Sequence, residues 1–480
     1  MSEQNFKIAR NTSYYTLALV LQKVISFVYF SYIAVKIGAG DLGNYTFALF
    51  FTTIFAVIID IGLSNVLIRE VSKDQAKSQH YLASALSIKL PLAVLTYAVV
   101  VILINLIESN VLVRQLVYLA GIIMVLDSFT LTFYAFLRGH HNLKFESLGT
   151  IIFQVILAAL GFVIISLTHD LRILILAILA ASLFNLIYSA ILIKAKLKLK
   201  FTAKPQRWLI KSLLILTIPF ALAAIFTRVY GYIDTVLLKQ LVDETALGYY
   251  SIPYKITFSL QFIPMAFVAS LYPAFASYFI NSRELLKKTF EKSMVYLGML
   301  AIPVTLGVIA LAKPLMIKVY TNQFSPSILP LQILILSLVF LFLNFPLGSL
   351  LNACNRQTRN TVHIGVVMVI NIILNFILIP KFSYLGAAIA SSISTLIMFI
   401  LQMYAARQII SYSFKFLVDN FLRILVSGLI MFLAIIYLET FVNFIILIPV
   451  GVVIYTGILY LLKGFTKNDI QLIYQGFFKR

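Results

Sequence analysis

Long apolar runs, separated by short polar connections, cover the chain from residue 12 to residue 463. Each run has about 20 residues or more, enough for a helix to cross a hydrocarbon core of roughly 30 Å. The pattern predicts fourteen transmembrane spans, centred near residues 25, 55, 95, 126, 157, 182, 225, 262, 304, 339, 372, 395, 427 and 452. Strand-length alternation is absent, so we expect an all-α integral membrane protein.

The basic residues predict how these spans are oriented. With the N-terminus in the cytoplasm, the inside segments hold 26 of the 38 Lys and Arg residues. Both termini are therefore expected in the cytoplasm, with the chain in a bacterial or archaeal cytoplasmic membrane. The net charge of +21 fits this topology and an anionic lipid surface. No soluble basic domain is predicted, so we expect no nucleic-acid partner.

An internal repeat predicts two bundles. "DLGNYTFAL" (41–49) follows span one and "TALGYYSIPY" (245–254) follows span seven, so Gly43 matches Gly248 at an offset of 205. Two six-helix bundles, related by a pseudo-two-fold axis along the membrane normal, would follow. The predicted domains are an N-terminal bundle (1–193), a basic cytoplasmic linker (194–211), a C-terminal bundle (212–406), and two extra spans with a cytoplasmic tail (407–480).

The linker "KAKLKLKFTAKPQRWLIK" carries seven Lys or Arg residues. We interpret it as a basic loop at the membrane surface, with capture of an anionic lipid headgroup as the alternative. Span eight contains Pro253, Pro264 and Pro273, and three prolines in one span predict a bent helix.

Charged residues within the spans are the candidate functional residues, because charge in the bilayer centre is costly unless it faces a cavity or a partner. Lys23, Arg228 and Lys255 lie in spans one, seven and eight, and the repeat offset places Lys23 onto Arg228. Three cations and few acids predict a site for a pyrophosphate group. The remaining candidates are Asp127, Asp60 and Asp234 for ion pairing or coupling, and Tyr230 and Tyr254 for stacking on sugars, although interfacial aromatic belts also explain such tyrosines.

The sequence offers little for chemistry. Cys354 is the only cysteine, which excludes an internal disulfide and a cysteine-cluster metal site. No catalytic triad, metal-ligand spacing or phosphate-binding glycine loop occurs in a polar segment. We therefore expect a protein that is not an enzyme and that needs no metal or cofactor. A membrane-embedded polymerase or ligase would need a large outer loop, and the longest outer loop here is about a dozen residues, around "KVYTNQFSPS" (318–327).

The segments "GAGDLGNYTFALFFTTIFAVIIDIGLSNVLIRE" (38–70), "FLRGHHNLKF" (136–145) and "YLGAAIASSIS" (384–394) resemble those of polysaccharide-biosynthesis flippases of the MOP superfamily, the Wzx-type translocases. The resemblance implies a V-shaped pair of bundles that carries undecaprenyl-pyrophosphate-linked oligosaccharide to the outer leaflet by alternating access. Its partners would be the lipid-linked oligosaccharide, membrane lipids, a polysaccharide polymerase and a chain-length regulator.

Two further inferences depend on this resemblance. Lipid II flippases of the superfamily carry cations in spans one and eight of a central cavity, where Lys23 and Lys255 stand here, although the family residues are arginines. The alternative function is a multidrug and toxin antiporter of the same superfamily, which usually has twelve spans and acids in its cavity.

Overall fold

The computed structural model describes residues 3–201 and 204–464, with the backbone alone for residues 3–19. Over these residues the regular structure is entirely helical, and no strand occurs within them. The predicted all-α fold class is therefore confirmed.

The transmembrane spans match the hydrophobic pattern. Twelve helical segments among the described residues are long and apolar enough to cross a membrane. Two of them, Val20–Asp60 and Gln357–Arg407, have 41 and 51 residues and are interrupted at Gly38 and Ser383, where the backbone leaves helical geometry. At about 1.5 Å per residue, each is long enough for two crossings of a roughly 30 Å core. Counted in this way, the segments supply the predicted fourteen spans of a multi-pass membrane protein.

The first compact unit contains residues 1–251 and 375–383. Its complete helices are α1 (Glu3–Asp60), α2 (Leu63–Lys73), α3 (Ser78–Ile107), α4 (Val111–Gly139), α5 (Lys144–Leu167), α6 (Leu171–Lys196) and α7 (Arg207–Leu241). Helix α1 packs against α4, α5 and α7, and α6 packs against α4 and α5. The linker 194–211 and α7 therefore lie inside this unit. The division of the chain into transport bundles at this linker stays a prediction.

The second unit contains residues 252–374 and the chain from residue 384 onward. Its complete helices are α9 (Phe262–Asn281), α10 (Arg283–Tyr320), α11 (Ile328–Leu336), α12 (Leu338–Ala353), α14 (Phe414–Leu438) and α15 (Phe444–Leu461), while α8 (Glu244–Ser259) and α13 (Gln357–Arg407) contribute to both units. Helix α10 packs against α9, α11, α12, α14 and α15. The two extra C-terminal spans therefore share the core of this unit.

Proline breaks span eight as the sequence predicts. Helix α8 ends at Ser259 and α9 begins at Phe262, so the span consists of two helices joined by a turn. Pro264 is the third residue of α9, where its missing N–H has no helical partner to lose. Pro253 and Pro273 lie inside α8 and α9.

A close backbone contact joins the bend of α1 to the start of α8 within the first unit. A Cβ atom added to Gly43 would lie 1.8 Å from the carbonyl oxygen of Glu244. A Cβ atom added to Gly248 would lie 1.9 Å from the carbonyl oxygen of Ala39. The two contacts are related by the 205-residue offset, because it carries Ala39 onto Glu244 and Gly43 onto Gly248.

The two copies of the repeat therefore contact each other here through equivalent residues, which gives the contact a local two-fold relation. The residues nearest the local axis are Gly40 and its repeat mate Thr245, since a Cβ on Gly40 would lie 3.6 Å from Thr245 Oγ1. Such close approach requires glycine at both outer positions, because any side chain would overlap the facing backbone.

We predict that Gly43→Ala and Gly248→Ala each destabilise the protein by roughly 1–3 kcal/mol, because the added methyl group forces two backbones apart. Thermal unfolding of the detergent-solubilised protein measures the effect. The double variant should cost less than the sum of the single variants, since both changes open the same contact.

Gly457→Ala provides the control, because a Cβ there meets nothing within 4 Å. It replaces glycine in the helix α15 and should leave stability unchanged or raise it by about 0.5–1 kcal/mol. Equal behaviour of all three variants would show that the close contact contributes nothing to stability.

Candidate functional site

Lys23 and Arg228 lie on α1 and α7, two helices that pack against each other in the first unit. Both side chains are exposed. Among the described residues, neither forms an ion pair with an acidic side chain. A cation that lies within a span without a counter-ion is costly unless water or a ligand reaches it. The binding of an anion by these two repeat-related residues stays a prediction.

Lys255, the third predicted cation, lies on the part of α8 that belongs to the second unit. Its side chain is half-buried. The neighbouring Tyr254 is buried, and its ring stacks on Phe258 with 4.3 Å between centroids. One face of the Tyr254 ring is thus occupied within the protein. The roles of Lys255 in anion binding and of Tyr254 in sugar stacking stay predictions.

Lys89 of α3 and Asp60 at the end of α1 form an ion pair inside the first unit, with 2.9 Å between Nζ and Oδ1. The Lys89 side chain is fully buried, and its ammonium group also donates to the Ser128 carbonyl oxygen at 2.7 Å and to Thr132 Oγ1 at 2.5 Å. All three donors of the ammonium are therefore satisfied. Asp60 in turn accepts a 2.5 Å bond from the Ser64 hydroxyl.

This ion pair lies where the chain changes direction. Ile61 and Gly62 have positive φ values of 41° and 79°, and they separate α1 from α2. Asp60 thus fixes the start of α2 through Ser64 while it neutralises Lys89. Lys89 does not extend to the membrane surface, because its side chain has no exposed area.

Asp234 is buried on α7, with 2% of its surface exposed. The Tyr250 hydroxyl donates to Oδ2 at 3.1 Å, and the Asn375 amide donates to Oδ1 at 2.8 Å. Tyr250 and Asn375 are themselves fully buried. Asp234 is therefore an internal carboxylate that joins α7 to α8 and α13, and its function as a coupling residue stays a prediction.

Asp127 lies on α4 with an exposed side chain, and its carboxylate is beside Ser182 of the packed helix α6. Tyr230, the other predicted sugar contact, is half-buried on α7. Neighbouring aromatic residues already have partners, since the Tyr232 ring lies 5.0 Å from that of Phe50. The structure therefore gives Tyr232 and Tyr254 a packing role.

Sequence reasoning missed a second buried ion pair. Lys239, near the end of α7, binds Glu108, which follows the last residue of α3, and both side chains are almost fully buried. The Lys239 ammonium also lies 4.8 Å from the centroid of the Phe47 ring. The sequence does not identify Glu108 as the partner of Lys239, because the two residues lie 131 positions apart.

A second missed residue is Asn375. It stands in the apolar run "NIILNFILIP" (371–380), where an amide in mid-span is costly without a hydrogen-bonding partner. This cost is the sequence signal that could have identified Asn375 as a residue with a buried polar partner.

Among the described residues, no group of three or more His, Cys, Asp and Glu side chains could hold a metal ion.

We expect Asp60→Asn to destabilise the protein by about 3–5 kcal/mol, because Lys89 would remain in the interior without a counter-ion. Lys89→Met should cost less, since Asp60 keeps the Ser64 bond and 17% exposure of its side chain. The double variant should recover part of the loss. Thermal unfolding of all three variants measures the coupling.

Lys288→Met is the matched control, because Lys288 and Glu284 form an exposed pair on α10, with side chains 63% and 73% exposed. Its effect should stay within about 1 kcal/mol. Additive losses in the double variant would contradict a direct pairing of Asp60 with Lys89.

Curated relatives match over almost the whole chain. The "probable low-salt glycan biosynthesis flippase Agl15" of Haloferax volcanii is 23% identical over 478 residues, which are 97% of this chain and 99% of that protein. The "capsular polysaccharide biosynthesis protein CapF" of Staphylococcus aureus is 22% identical over 410 residues, which are 84% of this chain and all of that protein.

Solved structures share the fold. The lipid II flippase MurJ in an inward closed conformation superposes with a TM-score of 0.75 at 19% identity, covering 92% of this chain and 97% of that one. An inward-facing multidrug resistance MATE transporter of the MOP superfamily gives a TM-score of 0.65 at 14% identity, covering 79% and 94%. At these identities the likeness shows the fold alone.

Family models agree with this fold and add a more specific assignment. The MatE model matches residues 219–377. The model described as "polysaccharide biosynthesis protein" matches residues 8–279, which is more than half of the 480-residue chain. On that match, this chain belongs to the polysaccharide biosynthesis protein family of the MOP superfamily.

Proposed function

We propose that this protein is a flippase that moves a lipid-linked oligosaccharide from the inner to the outer leaflet of the cytoplasmic membrane by alternating access. The family and the glycan biosynthesis flippase of Haloferax volcanii to which the chain is similar support transport of a glycan precursor. We further propose that the lipid carrier is undecaprenyl pyrophosphate and that the product is a surface polysaccharide such as O-antigen, capsule or exopolysaccharide.

The observation that carries this proposal is the contrast between paired and unpaired cations in the first unit. Lys89 and Lys239 are buried and neutralised by acids, so their charges stabilise the fold. Lys23 and Arg228 are exposed, and among the described residues neither has an acidic partner. A charged residue within a span is costly to insert into the membrane, so one that forms no ion pair is expected to bind a ligand.

A pyrophosphate suits these side chains. Arg228 offers a planar fork of N–H donors that can bind two phosphate oxygens at once, while Lys23 offers a compact point charge. We propose Lys255 as a third cation of the site and Tyr230 and Tyr254 as contacts for the sugars. Asp127 is proposed to pair with one of the cations or to carry a coupling proton.

The membrane potential can supply part of the driving force. Outward movement of about two negative charges is favoured by an inside-negative potential, at roughly 2.3 kcal/mol per charge per 100 mV. The same potential favours the inward return of the empty cationic site, because it attracts positive charge to the inside. A ligand that binds one conformation more tightly then shifts the conformational equilibrium by the difference in binding free energy.

The alternative is a MATE-type exporter of cationic compounds, which the MatE model match to residues 219–377 supports. Exposed cations would repel such a substrate, so we consider this function second. In either function the protein performs no covalent step. A polysaccharide polymerase and a chain-length regulator are the partners we propose for the translocated unit.

Transport in proteoliposomes tests the cationic site. We expect wild-type protein to translocate labelled undecaprenyl-pyrophosphate oligosaccharide, and Arg228→Ala and Lys23→Ala to reduce the rate by tenfold or more, on the order of the loss of a charge-assisted hydrogen bond. Arg228→Lys should retain part of the rate because it keeps the charge without the fork.

Lys313→Ala, which removes an exposed lysine of α10 in the second unit, is the control and should transport normally. Normal rates in both Ala variants would exclude Lys23 and Arg228 from the site. Export of an organic cation, with no movement of the lipid-linked glycan, would favour the MATE-type function.

Single-cysteine labelling tests the proposed orientation, with the buried Cys354 replaced by Ser. An impermeant maleimide should label Ser325→Cys, in the predicted outer loop, on intact cells. Ser411→Cys, in a predicted cytoplasmic segment, should react only after permeabilisation. Both positions are exposed in the structure, so a reversed pattern would invert the topology and the direction of transport.

A further inference from the structure

The basic segment that runs from the end of α6 to the start of α7 is folded onto the first unit. We call its described residues, 194–201 and 204–211, the strap. Its polar backbone is fixed by α3, because the Lys200 N–H donates to Gln79 Oε1 at 2.7 Å and the Gln79 amide donates to the Lys200 carbonyl oxygen. Further along, the Gln206 amide lies 3.2 Å from His80 Nδ1.

Apolar side chains of the strap enter the core of the same unit. Leu199 and Leu209 are buried in a cluster formed with residues of α2, α3 and α4, and Leu197 packs against it. The Phe201 ring contacts that of Phe133 edge to face, with 5.7 Å between centroids. The strap is therefore an ordered part of the fold, and its direction is set by these buried residues.

The strap presents its charges outward as a consequence of this packing. All seven cations are exposed, namely Lys194, Lys196, Lys198, Lys200, Lys204, Arg207 and Lys211. Among the described residues, none of the seven forms an ion pair. By contrast, the basic residues of the neighbouring segment 69–77 are paired, since Arg69 and Lys73 bind Glu70 and Lys77 binds Asp74.

One of these lysines occupies a position that favours glycine. Lys198 has a φ of 55°, in the left-handed region, where the chain reverses after α6 and the Leu199 N–H donates to the Ile193 carbonyl oxygen at 3.2 Å. Glycine is the usual residue at such helix ends because it has no Cβ to strain. A lysine here accepts backbone strain and adds an exposed charge.

Two exposed aromatic residues favour a position of the strap at the level of the lipid headgroups. Trp208 is 61% exposed in the first turn of α7, directly after Arg207, and Phe201 is 44% exposed. Exposed tryptophan beside basic residues at the end of a membrane-crossing helix is typical of the membrane interface. A row of cations at that level attracts the negative surface of the adjacent leaflet.

We propose that the strap is a binding surface for the phosphodiester headgroups of anionic phospholipids in the leaflet beside it. The occupant is the surrounding lipid and differs from the transported substrate, so this site is separate from Lys23 and Arg228. The fixed strap lowers the entropic cost of binding, because its backbone is already ordered before the lipid arrives.

The chain offers its own reporter for the test, because Trp208 is its only tryptophan. Detergent-solubilised protein is titrated with phosphatidylglycerol carrying brominated acyl chains, and quenching of Trp208 fluorescence is followed. Brominated phosphatidylcholine, which is zwitterionic, is the lipid control. We expect phosphatidylglycerol to quench at a mole fraction at least about tenfold lower, and added salt to reduce the difference.

Two variants locate the binding charges. Replacement of Lys194, Lys198, Lys200 and Lys204 by Gln should weaken phosphatidylglycerol binding by about tenfold or more. The charge-matched control replaces Lys73, Lys288, Lys292 and Lys415 by Gln, all of which lie in predicted cytoplasmic segments outside the strap, and it should bind as wild type does.

Lys198→Gly gives a separate readout if the fourfold variant fails to fold. It removes one charge and relaxes the left-handed backbone, so thermal stability should be kept or raised while lipid affinity falls about two- to fivefold. A merely structural lysine would show the stability change without the loss of lipid affinity.

Three results would overturn the proposal. Equal quenching by the two lipids would mean an apolar contact only, and equal losses in the strap and control variants would mean a general effect of net charge. Displacement of the lipid by inorganic pyrophosphate at low concentration would assign the strap to a pyrophosphate ligand instead. Since none of these measurements involves transport, failure here leaves the proposed function untouched.

Discussion

The organisation of this protein depends on the cost of placing charge in hydrocarbon. The chain is 61% hydrophobic, so each ionisable group in a span must be neutralised inside the protein or reached by water or ligand. In the first unit, Lys89 and Lys239 are buried and neutralised by Asp60 and Glu108, whereas Lys23 and Arg228 are exposed. Fold and candidate site are thus two outcomes of one electrostatic constraint.

Much of the fold could be predicted from the sequence because hydrocarbon imposes a simple rule. A backbone that finds no water must satisfy its own hydrogen bonds, so apolar runs of sufficient length become helices. The predicted bend of span eight followed in the same way, because Pro253, Pro264 and Pro273 cannot all be accommodated in one straight helix. The sequence separated the spans on either side of Gly38 and Ser383, but it did not predict that each pair is joined through a single bent residue, because hydropathy gives no backbone geometry.

The candidate site was harder to predict because sequence gives the depth of a charge and not its neighbours. Asp60 and Asp127 looked alike along the chain, yet Asp60 binds a buried lysine while Asp127 is exposed beside Ser182. Asn375 escaped notice because it is uncharged, although it donates directly to the Asp234 carboxylate. Pairing depends on contacts between residues 29 to 141 positions apart, and a single sequence holds no record of them.

The contact between the two copies of the repeat at Gly43 and Gly248 has a mechanical consequence. The contact is formed by glycine faces against the carbonyl groups of Ala39 and Glu244, so its strength comes from shape and short-range dispersion. Much of the dispersion attraction is lost when the two surfaces separate by about an ångström. Its loss leaves no polar group without a hydrogen-bonding partner. Such a contact is therefore firm only at full approach of the two backbones, and it is lost over a short separation instead of weakening gradually.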